Sequence, residues 1–414
     1  MVTVALVVVL AATGWAATRG SAAEESGLLV RNEDGSISLL DSDSGETLFD
    51  LDDAVPTPDL SSLLTTRRQG DGTVLESRDA RSGEVTGSTQ LDGDLSVRSI
   101  SPEGGAVVLM PGRPNGGLYD PEPRGSTELT VAYLDDRPAQ EFTLDGNIEP
   151  EMLSLDETTL FVLDFAPPMD PTSYSVRMLD LATGVVTDTD SIQVDLTSKM
   201  AGKARAQALH PDGTFLYTLY TLPQDQPVHE GEVAEDAERF AFVHVISLDE
   251  KWSFCIFLPV PFGTTDEATI GITVSPDGER VLVADPAIGQ IAEIDTETME
   301  VTEVHPVEQL RDTGAKAVVA VAGDGAVYAS AGNVVVELHP DTFDVVSAWG
   351  APSAVTGLST TDETVRVASG GSVTLIDRAT GLETGVIDGH GRGTVDLLGP
   401  PQGNVVGFPL ECAC

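Results

Sequence analysis

Lysine is almost absent from this chain. Lys199, Lys203, Lys251 and Lys316 are all there are, and 22 basic residues in total face 67 acidic ones, for a formal net charge of −45. A surface of that sign repels a phosphate backbone, so a nucleic-acid partner is excluded. The polybasic patch that would hold a protein to an anionic membrane is missing as well. Two origins for the composition stay open: a GC-rich genome with a solubilising acidic surface, or adaptation to high salt. Aromatic residues make up 5% of the chain against 41% apolar residues, so the core must be built from Val, Leu, Ile and Ala. No amphipathic helix of more than about three turns stands out under a 3.6-residue period. Also missing are a Gly-x-Ser-x-Gly elbow, a Walker loop and a dinucleotide fingerprint.

Cysteine is scarce too: Cys255, Cys412 and Cys414. The Cys-x-Cys pair has no His or further Cys beside it, and no metal or other cofactor is expected. In an exported chain a structural disulfide from Cys255 to Cys412 or Cys414 is open to it, with inert thiols as the alternative. Export is expected from the first residues, MVTVALVVVLAATGWAA, followed by Gly20-Ser21-Ala22-Ala23. That apolar run suits a signal peptide cleaved before Glu24 or a retained anchor, so residues 1–26 are set apart from the folded domain. The expected location is extracellular or the outer face of the cytoplasmic membrane. Contact with a membrane is expected only through that anchor.

What is present is repetition. The clearest unit reads Ile272-Thr273-Val274-Ser275-Pro276-Asp277-Gly278, then Val281-Leu282-Val283-Ala284-Asp285, then Ile291-Ala292-Glu293-Ile294-Asp295, then Met299-Glu300-Val301. Units of strand, Asp/Gly turn, strand and polar turn recur roughly every 35 to 65 residues. All-strand repeats at that period predict an all-β chain folded as a single β-propeller of four-stranded blades over 27–399, with 400–414 as a tail. Counting second strands gives eight blades, with seven as the alternative. Unit one, from Leu28-Leu29-Val30, lacks its innermost strand, while Thr394 to Leu398 is one strand too many at the other end. The late segment is therefore expected to close the ring, removing two open sheet edges.

The turns Asp41 to Gly45, Asp180 to Gly184 and Asp377 to Gly381 suggest calcium, but they lack several oxygens converging on one ion. Asp bonding its own backbone and Gly supplying a positive φ explain them as hairpin turns. By the same reasoning His210 and His339 are expected in turns rather than in a catalytic site.

These turns, with Leu282-Val283-Ala284-Asp285 and Ile291-Ala292-Glu293-Ile294-Asp295-Thr296, resemble the YVTN/YncE-like β-propeller repeat superfamily. The match is close in the unit from Ile272 to Val301 and in the one with Val373-Thr374-Leu375-Ile376-Asp377, and loose in the units around Thr73-Val74-Leu75, Val107-Val108-Leu109 and Phe215-Leu216-Tyr217. The resemblance implies fold rather than activity. Propeller enzymes of related form would need Glu, Asn and Asp converging in the channel, clustered His, or a Trp in every repeat; only Trp15, Trp252 and Trp349 exist here. The segment Trp252-x-x-Cys255-x-x-Leu258-Pro259 is similar to one in exported actinobacterial propellers of unknown role.

Strand order locates a candidate site. In each blade the loop between second and third strands emerges on one face, with the blade-to-blade connections. Three such loops are enlarged in consecutive units: Pro111 to Thr127, Ala166 to Ser173, and Thr221 to Arg239. Long loops on a rigid scaffold carry function more often than strands do. The candidate partner-binding residues are Arg113, Tyr119 and Arg124 in the first, Met169 and the adjoining Tyr174 in the second, and His229 in the third. A non-catalytic, monomeric binder of a protein or cell-envelope ligand is the first reading. A hydrolase or lactonase with its site at the central channel is the alternative.

Overall fold

The strand Ala106–Pro111 shows how the repeat becomes a blade. Ala106, Val107, Val108, Leu109 and Met110 are all buried, yet they do not share one neighbour. Val107 and Leu109 cluster with Leu64, Leu75 and Leu91 of the preceding unit. Ala106, Val108 and Met110 pack instead on Leu153, Leu160 and Val162 of the following one. Successive side chains point to opposite faces, so a strand apolar at both parities belongs to a sheet covered on both sides. Each fully buried aliphatic side chain contributes about 2 kcal/mol.

The computed structural model describes residues 27–32, 35–42, 44–112, 122–191, 203–221, 240–264, 270–388 and 394–398. They form eight antiparallel sheets in a ring, a β-propeller. The innermost strands of blades 2 to 8 are Val55–Pro56, Leu95–Ile100, Asn147–Leu153, Lys203–Leu209, Gly271–Val274, Ala317–Val321 and Val355–Thr360. Each blade has four strands, and blade 5 gains a fifth from Asp190–Ser191, which pairs parallel with its outer strand Trp252–Phe257. Each of eight apolar clusters is shared by two neighbouring blades, so the core is a wheel of interfaces. Outer strands such as Val85–Asp92 are largely exposed.

Blade 1 is completed from the far end of the chain. Thr394–Leu398 lies antiparallel to Gly27–Asn32, with Leu29 opposite Leu398, Val30 opposite Leu397 and Arg31 opposite Asp396. The count is eight, not seven.

Turn chemistry repeats with the blades. Asp41, Asp79, Asp180, Asp295 and Asp377 each accept, at 2.5 to 2.9 Å, from the backbone N–H and hydroxyl of the Ser or Thr three residues on. The next residue takes a positive φ, at Gly45, Gly83, Gly184 and Gly381, and in blade 6 at Met299. On this face charged groups also tie blade to blade. Arg137 Nη2 donates to Glu157 at 2.5 Å, Lys251 Nζ to Asp156 at 2.8 Å, and Arg378 Nη2 to Asp324 at 2.7 Å. His210 and His339 stand in turns, with His210 Nε2 3.1 Å from the Gly278 carbonyl oxygen of the next blade. Among the described residues no helix is long and apolar enough to cross a membrane.

Cys255 is buried between blades 4 and 5, in a cluster with Tyr174, Phe242 and Ile246. Its expected disulfide partners, Cys412 and Cys414, lie outside the described residues, as do residues 1–26 and the tail from 399 onward.

Candidate functional site

The loop after Ala106–Pro111 and the loop after Thr159–Ala166 come from neighbouring blades, and the structure joins them. The Arg124 N–H donates to the Pro168 carbonyl oxygen at 3.2 Å. Asn147, the first residue of the innermost strand of blade 4, completes the joint. Its Nδ2 donates to the carbonyl oxygens of Glu122 and Pro168, at 3.1 Å each. Asn147 is fully buried, so these bonds form away from competing water, and its Oδ1 has no hydrogen-bond partner among the described residues.

Beneath the joint lies a charged anchor. Arg124 Nη2 donates to Glu149 Oε1 at 2.5 Å and to the Ile148 carbonyl oxygen at 2.7 Å, while its Nε donates to Thr127 Oγ1 at 3.0 Å. Thr127 Oγ1 donates to the Gly146 carbonyl oxygen at 2.9 Å and accepts from the Ile148 N–H at 3.0 Å. Burial pushes the Glu149 carboxyl up, and the attraction of Arg124 and Arg98 offsets that only in part. Arg98, half-buried on the innermost strand of blade 3, is pushed down by burial, with Glu149 opposing the shift and Arg124 adding to it. Ser99 beside it donates to the Glu151 carbonyl oxygen at 2.9 Å, so the two innermost strands are bonded directly.

The loop Ala166 to Ser173 holds its own shape. The Thr172 N–H and Ser173 Oγ both donate to the Ala166 carbonyl oxygen, and the Asp170 N–H donates to that of Pro167. Pro167 and Pro171 remove backbone freedom and donors, which favours one stiff loop conformation. Its tip presents Met169, 61% exposed. Pro167, Asp170 and Thr172 are exposed around it, with Glu122 and Pro123 from the neighbouring loop. The result is an apolar point on a stiff, acidic-rimmed platform.

Of the six candidate residues, three therefore have a described position. Met169 is presented to solvent. Arg124 is in the same sector, but its guanidinium is committed to Glu149 and the backbone, so it positions the loop rather than offering a free donor. Tyr174 is a correction. It is 3% exposed, tilted on Phe165 and stacked on Tyr220 with ring centroids 5.9 Å apart, and burial drives its hydroxyl pKa well up. The first residue past the loop continues the inward parity of its strand, and so it belongs to the core. Arg113, Tyr119 and His229 lie outside the described residues. Sequence reasoning missed Asn147, Thr127, Arg98 and Glu149, whose roles arise only when blades 3 and 4 meet; a polar Asn after the Asp145-Gly146 turn was the one local signal. Among the described residues no three His, Cys, Asp or Glu side chains stand close enough to hold a metal ion.

No protein-family model matches the chain, and no curated protein matches it. Solved structures do. The crystal structure of AztD from Citrobacter koseri superposes with a TM-score of 0.57 at 8% identity, over 90% of this chain and 97% of that one. The dihydro-heme d1 dehydrogenase NirN in complex with DHE gives 0.53 at 13% identity, over 89% and 74%. Sqt1 from Saccharomyces cerevisiae gives 0.50 at 13%, over 83% and 86%. At such identities the likeness carries the β-propeller fold and nothing of the activity.

Proposed function

We propose that this chain is an exported, monomeric propeller of the YVTN-like repeat type that binds a protein or cell-envelope ligand through the crown of blades 3, 4 and 5. One observation carries the reading: loops of two neighbouring blades are bonded to each other through Arg124, Asn147 and Pro168, and the joint holds Met169 out into solvent. A preorganised surface loses little conformational freedom on binding, which is what makes stiff loops effective for recognition. A flexible thioether on an otherwise polar rim suits an apolar contact on the partner. The acidic surface keeps nucleic acid away and leaves protein and envelope chemistry as the field of partners.

Site-specific photocrosslinking tests this. A photoreactive residue at position 169 should trap a defined partner in intact cells, and the same group at Val346, also 61% exposed but on the outer strand of blade 7, should not. Trapping from 346 and not from 169 would move the site off the crown.

A further inference from the structure

Between the outer strands of blades 5 and 6 runs a groove of about 510 Å³, lined by Phe257, Leu258, Pro259, Val260, Val301, Thr302, Glu303 and Val304. We propose that this groove docks an extended segment of a partner protein in which aliphatic and basic residues alternate, added as a strand to the open edge of blade 6. The site lies on the circumference of the ring, towards the face on which the blade-to-blade connections emerge.

Four observations support it. Among the described residues the strand Glu300–Pro306 is the last of its sheet, paired only with Gln290–Asp295, so half of its backbone N–H and C=O groups face outward. Strand addition to such an edge is an established mode of peptide recognition. The molecule already uses it one blade away, where Asp190–Ser191 adds to Trp252–Phe257, with Asp190 opposite Trp252 and Ser191 opposite Ser253. That added pair covers the Trp252 end and leaves Phe257, at the other end, on the groove. The walls are aliphatic: Val301 and Val304 pack on the cluster between blades 5 and 6, while Val260 is 48% exposed. An extended peptide places every second side chain against such walls.

Charge selects the remaining positions. Among the described residues Glu303 is the one ionisable group lining the groove, and it is exposed, with no Lys, Arg or His beside it in the lining. Within a molecule of net charge −45 the groove attracts cations and repels acidic peptides. The Trp252-x-x-Cys255-x-x-Leu258-Pro259 segment thereby gains a role, since its last two residues form one wall.

The probe is a fluorescein-labelled octapeptide of alternating valine and lysine, titrated by anisotropy against the whole chain. A second peptide carries glutamate for lysine, and a third is N-methylated at alternate amides. The lysine peptide should bind saturably, and the other two at least tenfold more weakly. Val260→Asp and Glu303→Lys, both at exposed positions, should each weaken it at least tenfold with the melting temperature unchanged. Glu383→Lys with Asp388→Lys, on the outer strand of blade 8, should leave it as it was. Equal loss from the blade 8 variant would overturn the proposal in favour of unspecific attraction to an acidic surface. Undiminished binding of the N-methylated peptide, or no saturable binding of the lysine peptide, would overturn it as well.

Discussion

Arg124 and Glu149 carry the link between crown and scaffold. Glu149 is 7% exposed at its side chain and Arg124 24%, so their pair is largely shielded from water. Removing Arg124 leaves the Glu149 carboxyl buried with only the attraction of Arg98 to offset it, and Arg124→Ala should cost about 3 kcal/mol in chemical denaturation. Arg311→Ala, which breaks the exposed pair with Glu308, should leave the midpoint unmoved. Equal effects would mean that the Arg124 anchor is as solvated as a surface pair.

A second residue-scale expectation concerns acid. Burial would raise the Asp156 carboxyl, but hydrogen bonds from Lys251, Ser154 and Thr158 outweigh it and hold the group well below the usual carboxylate range. Hydrogen bonds from the following Ser or Thr lower Asp79, Asp180 and Asp377, and backbone and hydroxyl bonds from Thr298 lower Asp295. A carboxyl whose folded pKa lies below its unfolded value of about 3.9 stabilises the fold fully above that value. The contribution is lost as pH falls through the folded pKa. Glu149 works in the opposite sense, since its raised pKa means that protonation relieves a cost. Asp59, Asp135, Asp212, Asp277, Glu308 and Asp324 are depressed too, so among the described residues eleven depressed carboxyls stand against two raised by burial, Glu149 and Asp285. The melting temperature should fall steeply below about pH 4, and less steeply in Asp156→Asn. An unchanged acid limb in that variant would refute the assignment.

At the scale of elements, the closing strand was legible in the chain because strands can be counted. A unit one strand short and a strand left over admit one economical pairing, and Thr394–Leu398 makes it with Gly27–Asn32. A chain ending before Thr394 should therefore expose the edge of Gly27–Asn32 and aggregate, seen as rising light scattering at temperatures where the full chain stays clear. A clear solution would show that the edge is protected by other means. The Asp turns were equally legible, since each is fixed by residues within four positions of one another. Asn147, Arg98 and Glu149 were not, because their partners lie on other blades and no local spacing announces them. Tyr174 was misread for a related reason. A residue flanking a loop looks exposed by position, but strand parity and the facing Tyr220 of blade 5 put it inside.

The two faces of the ring are built differently. One is laced by Arg137, Lys251, His210, Arg280 and Arg378, each bonding to a neighbouring blade. The other carries the joined loops. With eight inter-blade clusters and a closed ring holding the scaffold, the loops carry little of the core, which on the proposed reading leaves them to recognition. The central claim is that recognition sits on the crown, and shortening the loop from Pro167 to Thr172 to a two-residue turn tests it most directly. Affinity for the captured partner should fall at least a hundredfold while the melting temperature stays within a few degrees of the parent. Unaltered affinity in a variant of parental stability would contradict the claim and place recognition elsewhere on the ring.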